Sequence, residues 1–185
     1  MAHRVCPWWL GYLLVNPLRR LVQNPLTLLR PYVAEGMTVL EPGPGMGFFT
    51  LDLARLVGPS GRVVAVELQP KMLEALRRRA GRAGLAERLD LRLAHPDTLG
   101  VEDLAGEVDV VVAFAIVHEL PSAARFFGEA SAALRPGGRL LLGEPSGHVS
   151  TAELERELVA ASDAGLLVAA RPAVWRSHAA VLVKA

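Results

Sequence analysis

From Met37 onward, apolar residues follow two alternating rhythms. Short aliphatic runs predict strands at 37–41 (MTVLE), 62–67 (RVVAVE), 89–93, 108–116 and 139–143. Between them, apolar positions recur every three or four residues, as on a helix with one buried face. Phe49, Leu53 and Leu56 predict a helix over 46–57, stopped by Gly58 and Pro59. Pro70 opens a helix that buries Met72, Leu73, Leu76, Ala80 and Ala83, with Arg77, Arg78, Arg79 and Arg82 on its solvated face. Another helix spans 121–134 and ends at Pro136-Gly137-Gly138. Ser150 and Glu153 form a capping box for a last helix that ends near Gly165. Two strands, 166–172 and 176–183, close the chain.

Strands separated by helix-length connections imply right-handed β-α-β units and a parallel sheet covered on both faces. The last two strands are too close for a helical crossover, so they pair antiparallel. Residues 1–36 lack this rhythm and form a helical preface, or lid, to a domain at 37–185. Within the preface, Asn16-Pro17 and Asn24-Pro25 read as helix starts, with Asn as cap and Pro in first position.

Composition narrows the class. The chain has 185 residues, 51% of them hydrophobic, which suits a folded domain with a full core. A formal net charge of +1 supplies no field that would draw nucleic acid. Cys6 is the single cysteine, which excludes an intrachain disulfide and points to a reducing, cytoplasmic compartment. Residues 7–15 (PWWLGYLLV) are apolar but short of the roughly 20 residues a bilayer span requires. Arg19-Arg20 follows where a signal peptide would show small residues and a cleavage site. Neither a signal peptide nor a transmembrane helix is expected. Peripheral membrane contact through Trp8, Trp9, Tyr12 and the two arginines stays open.

The chemistry starts at VLEPGPGMGFF, residues 39–49, between the first strand and its helix. Gly43, Gly45 and Gly47 let backbone approach a ligand without a Cβ, and the helix behind them offers unpaired N–H groups. Glu67 ends the second strand, and one carboxylate can accept both hydroxyls of a ribose. A Gly loop followed about 20 residues on by an acid also occurs in NAD-binding folds. The pair alone therefore specifies an adenosine-containing ligand.

The spacing separates the candidates. A dinucleotide fingerprint reads G-x-G-x-x-G; here the loop reads G-x-G-x-G, with Glu41 two residues before the first glycine. This pattern resembles motif I of class I S-adenosylmethionine-dependent methyltransferases. The resemblance covers about 25–185 and continues through VDVVVAFAIVHELP (108–121) and LRPGGRLLLGEP (134–145). Among its branches, it is most similar to the small-molecule methyltransferases of ubiquinone and menaquinone biosynthesis. The resemblance implies a Rossmann-like three-layer α/β sandwich. Its mostly parallel seven-stranded sheet would run 3-2-1-4-5-7-6, with strand 7 antiparallel. It also implies S-adenosyl-L-methionine as cofactor and S-adenosyl-L-homocysteine as product. The cofactor-binding set would be Glu41, Gly43, Pro44, Gly45, Gly47, Glu67, Leu68 beside the adenine, and Asp97 at the adenine amino group.

The acceptor is less defined. Ligands of open α/β sheets sit beyond the carboxyl ends of strands, which makes His118, Glu119, Glu144 and His148 candidate bases. His118 leads, because imidazole titrates near neutrality, and His118, Glu119 and His148 form the candidate catalytic set. Cys6, Trp8, Trp9 and Tyr12 are expected to wall the acceptor site. That would suit a small apolar or soft acceptor such as a thiol, phenol or quinone precursor. His3 and Cys6 have a ligand-like spacing, but two ligands in a preface are too few, and no metal is assigned. An NAD-dependent oxidoreductase and a non-catalytic cofactor-binding partner subunit are the competing readings. A monomer and a homodimer are equally compatible with the sequence.

Overall fold

Seven strands form one sheet: β1 (Thr38–Pro42), β2 (Arg62–Glu67), β3 (Leu89–Leu93), β4 (Val108–Phe114), β5 (Leu134–Pro145), β6 (Leu166–Ala170) and β7 (Ser177–Lys184). Their order is β3-β2-β1-β4-β5-β7-β6. This is a computed structural model that describes residues 7–11, 15 and 19–185, apart from the side chains of Leu10 and Leu21. His3, Cys6, Tyr12 and Asn16-Pro17 lie outside the described residues. The helices are α1 (Arg19–Val22), α2 (Pro25–Leu29), α3 (Thr50–Leu56), α4 (Pro70–Arg82), α5 (Ala123–Ala133) and α6 (Thr151–Asp163). The chain divides into two compact units between Ala94 and His95.

In the first unit, β1 pairs parallel with β2 and β2 with β3. Val39, Leu40, Val63, Val64, Leu53 and Leu76 are fully buried, so both strands and the inner faces of α3 and α4 share one core. Asn24 caps α2 as its sequence implies, its side chain accepting the Leu26 N–H at 3.0 Å. Helix α3 starts at Thr50 rather than 46, because Gly47 has φ +85°, a left-handed value that no right-handed helix includes. The predicted solvated face of α4 holds for Arg77, Arg78 and Arg82, which are exposed. Arg79 departs from it: this side chain is half-buried and donates to the Met46 carbonyl.

In the second unit, β4 and β5 pair parallel, β5 and β7 antiparallel, and β6 and β7 antiparallel, so β7 is the reversed strand. Strand β4 stops at Phe114, two residues early, because Ala115 is left-handed at φ +56°. Strand β5 is longer than its apolar run: Leu134 pairs with Val108, 135–138 bulge out, and pairing resumes at Arg139 with Val110. The bulge carries Pro136, which has no N–H to give a ladder, and left-handed Gly137. Helix α5 starts at Ala123, with the Ser122 hydroxyl accepting the Arg125 N–H at 3.2 Å. The capping box of α6 forms as expected, and Gly165 is left-handed just beyond its end. Among the described residues, no helix is long and apolar enough to cross a membrane.

Candidate functional site

The loop after β1 makes its tight path from backbone alone. Gly43, Gly45 and Gly47 have φ of +66°, +56° and +85°, a region that costs other residues about 1–2 kcal/mol each. The Gly43 N–H donates to the Val66 carbonyl at 2.9 Å and the Gly47 N–H to the Pro44 carbonyl at 2.9 Å. The Gly45 N–H donates to Glu67 Oε2 at 3.0 Å, and Glu67 Oε1 accepts the Gln69 N–H at 2.9 Å. One buried carboxylate thus ties the glycine loop to the turn after β2. An ionised carboxylate offers about four acceptor positions.

Glu41 lies deeper. It is 3% exposed, and its Oε2 has no hydrogen-bond partner. Burial pushes its pKa up to about 8, with the Thr50 hydroxyl opposing and the charge of Glu67 adding to the rise. A buried carboxyl with one unsatisfied oxygen needs a donor or a cation. The cationic amino-acid end of a sulfonium cofactor supplies both, so the residues present fit that ligand. Pro44 is buried within the loop, and Leu68 is 37% exposed beside Glu67. Asp97 sits on an exposed turn, where its carbonyl accepts Arg125 Nη1 at 2.9 Å.

Several preface residues pack on this loop and on α4. Trp8 lies in a short 3-10 turn, Trp8–Leu10, with the Lys71 ammonium 4.6 Å from its ring centre. Trp9 is 56% exposed. Gly11 abuts Met46 so closely that a Cβ would meet its methyl carbon at 3.0 Å. Val15 packs against Met46, Met72 and Ala75. The Arg19 guanidinium stands 4.0 Å from the centre of the Phe48 ring. Arg20 pairs with buried Asp52 at 2.7 Å and so fastens α1 to α3, while Arg55 holds the same carboxylate at 2.8 Å from within α3.

The second unit holds a different cluster. Glu144, near the end of β5, is completely buried. Its Oε1 accepts the Val117 N–H at 3.0 Å and the Ile116 N–H at 3.3 Å, in the turn that follows β4. Its Oε2 holds His118 Nδ1. That hydrogen bond raises the His118 pKa; burial opposes the rise, and the charges of Glu144, Glu119 and Glu157 add to it. The exposed His148 ring meets His118 edge to face, 5.6 Å between centres. Glu119 shares the turn with His118. Glu157, on α6, has a buried Oε2 without a partner, and burial followed by the charge of Glu144 pushes its pKa up to about 7.

The structure thus brings His118 and His148, in the turns after β4 and β5, together with Glu144, which lies within β5 rather than after it, because β5 runs on to Pro145. Glu157 was not among the expected residues. Its signal is its spacing: Leu154, Leu158 and Ala161 form the buried stripe of α6, and Glu157 falls within it at helical intervals.

Comparisons with known proteins place the chain in a family and a fold. Residues 34–175 match the family model described as a methyltransferase domain. The chain is 35% identical over 112 residues to an arsenite methyltransferase of Halobacterium salinarum, covering 60% of this chain and 28% of that protein. It is 31% identical over 138 residues to a ubiquinone biosynthesis O-methyltransferase of Methylocella silvestris, covering 74% of this chain and 51% of that protein. The chain thus spans about half, or less, of these curated relatives. Its fold is similar to that of a SAM-dependent methyltransferase from Aquifex aeolicus, with a TM-score of 0.86 and 22% identity over 98% of this chain and 100% of that one.

Proposed function

From its membership of the methyltransferase-domain family, of the class I S-adenosylmethionine-dependent kind, we propose that this chain methylates a small acceptor by in-line displacement. The observation that carries the reading is the Glu67 carboxylate bonded to both Gly45 and Gln69 N–H beside three left-handed glycines. Bound there, S-adenosylmethionine would supply an electrophilic methyl group on its sulfonium.

The chain's own residues divide the remaining work. Glu67 and the loop Gly43, Pro44, Gly45 and Gly47 would hold the cofactor, with Glu41 assigned to its cationic end and Leu68 and Asp97 to its adenine. Holding the reactants in line is worth about 7–11 kcal/mol of barrier. His118 takes the acceptor's proton where the acceptor carries one, with Glu119 and His148 as its neighbours. Trp8 and Trp9 supply an aromatic wall for the acceptor; Cys6 and Tyr12, expected beside them, lie outside the described residues. Such a wall suits a soft or phenolic molecule, in line with the arsenite and ubiquinone-biosynthesis relatives.

Calorimetry with S-adenosylhomocysteine and, separately, NADH tests the cofactor. Saturable uptake of the first and none of the second is expected; the reverse would make the chain an oxidoreductase. A chain lacking residues 1–15 is expected to keep that uptake and lose acceptor turnover. Full turnover in the truncation would remove the lid from the proposal.

A further inference from the structure

Glu144 spends its two oxygens differently. Oε1 is held by two backbone N–H groups from the turn that carries His118, and Oε2 by the imidazole itself. The turn, the carboxylate and the ring therefore form one closed unit, with a side chain that is 0% exposed behind a histidine that is 20% exposed. An ionised carboxylate only accepts, so Nδ1 must be the nitrogen that donates. The neutral ring then has its lone pair on Nε2, which makes no hydrogen bond among the described residues. We propose that Glu144 is a positioning residue. It fixes His118 as the Nδ1–H tautomer, so that Nε2 alone accepts the acceptor's proton.

The inference rests on His118 as the proton acceptor in the proposed reaction. In the step itself, the acceptor's bond to hydrogen breaks and its electron pair stays on the acceptor. A new N–H bond forms at Nε2, and the imidazolium that results is balanced by the Glu144 carboxylate. Among the described residues, the other titratable groups around the ring are Glu119 in its own turn, His148 in the loop after β5, and Glu157 on α6. Of these neighbours, Glu144 alone bonds to the ring nitrogen.

E144Q turns this geometry into a test. Its amide carbonyl can keep the Ile116 and Val117 N–H bonds, which presents the NH₂ group to Nδ1. A donor there forces Nδ1 to accept and moves the ring proton to Nε2, removing the lone pair from the reacting side. Nitrogen-resolved NMR of ¹⁵N-histidine-labelled protein reads the tautomer directly, with His118 assigned by its loss in H118N. In the unmodified protein, above the His118 titration, Nδ1 should carry the proton. In E144Q, Nε2 should carry it, and the His118 pKa should fall toward the ordinary histidine value of about 6.5. S-adenosylhomocysteine affinity should stay within twofold in E144Q. A mixture of tautomers in the unmodified protein overturns the proposal, even if E144Q does not fold. An unchanged tautomer in folded E144Q overturns it as well. Failure of the unmodified protein to bind S-adenosylhomocysteine would instead strike the cofactor reading and leave the tautomer result standing.

Discussion

The glycine loop of the first unit and the histidine turn of the second use the same part in opposite ways. Each is organised by a buried glutamate near a strand end that collects two backbone N–H groups, Gly45 and Gln69 for Glu67, Ile116 and Val117 for Glu144. Glu67 spreads those bonds over both oxygens, which fixes the path of a loop. Glu144 takes both on one oxygen and leaves the other for an imidazole. The first arrangement holds the loop assigned above to the cofactor. The second couples a turn to an imidazole whose pKa it raises. Identical chemistry thus braces a loop or orients an imidazole according to how its lone pairs are distributed, and the clamp and the proton device proposed above rest on that difference.

The largest expected effect tests the clamp. Glu67→Ala removes a charged acceptor from the loop and from the ribose it would hold. Hydrogen bonds to a charged group are worth about 1.5–3 kcal/mol each. Losing two weakens S-adenosylhomocysteine binding by about a thousandfold, or ~4 kcal/mol. An affinity within threefold of the unmodified chain, measured by calorimetry, would leave Glu67 as a loop brace only. The same variant should leave the His118 titration unmoved, because Glu67 is not among the groups that shift it.

The next effect appears as a pH dependence. Glu41 titrates near 8 in the fold against an ordinary value of 4.5, so the folded chain holds this proton more tightly than the unfolded one. Folding stability from this group is therefore full below its unfolded pKa and falls as pH rises toward 8. The slope is at most ~1.4 kcal/mol per pH unit, and the part lost between about pH 5.5 and 8 is on the order of 3 kcal/mol. Glu41→Gln mimics the protonated form, so its melting temperature should fall less between pH 5.5 and 9. Binding of a cationic cofactor end favours the ionised carboxylate, so uptake near pH 7 should release a proton. Calorimetry in two buffers of different ionisation enthalpy would detect that release, and Glu41→Gln should abolish it. Parallel melting curves for the two proteins would show that Glu41 carries no such cost.

The clamp was more legible in the sequence than the proton device, for a physical reason. Gly43, Gly45, Gly47 and Glu67 are marked by residue type at fixed offsets from two strands that the apolar runs reveal. The start of α3 was misplaced because Phe49, Leu53 and Leu56 have helical spacing regardless of where Gly47 lets the helix begin. The extension of β5 was hidden because Pro136 and Gly137 read as an end, although the strand resumes its pairing beyond them. Glu144 and His118 were each visible as polar residues after a strand. Their bond depends on how β5 and the turn after β4 lie side by side, and a sequence shows that only through topology. Glu157 was readable as an acid within an apolar stripe, but the burial of a single oxygen is a property of packing.

The smallest expected effect separates support from chemistry in the second unit. Ser150 caps α6: its hydroxyl accepts the Glu153 N–H at 3.3 Å, while Glu153 Oε2 accepts the Ser150 N–H at 2.7 Å. Ser150→Ala removes half of that box at an exposed helix end, at a cost of about 1 kcal/mol. A protein of this length should then melt about 2–4 °C lower. The helix also carries Glu157, whose carboxyl acts on His118 through charge rather than through a bond. If the turn and Glu144 alone define the ring, a weakened α6 leaves both the tautomer and the pKa of His118 where they were. A changed tautomer in Ser150→Ala, read by the same nitrogen spectra, would mean that α6 packing orients the ring. The closed unit of Glu144 and its turn would then be only part of the device, and its contrast with the glycine clamp would narrow accordingly.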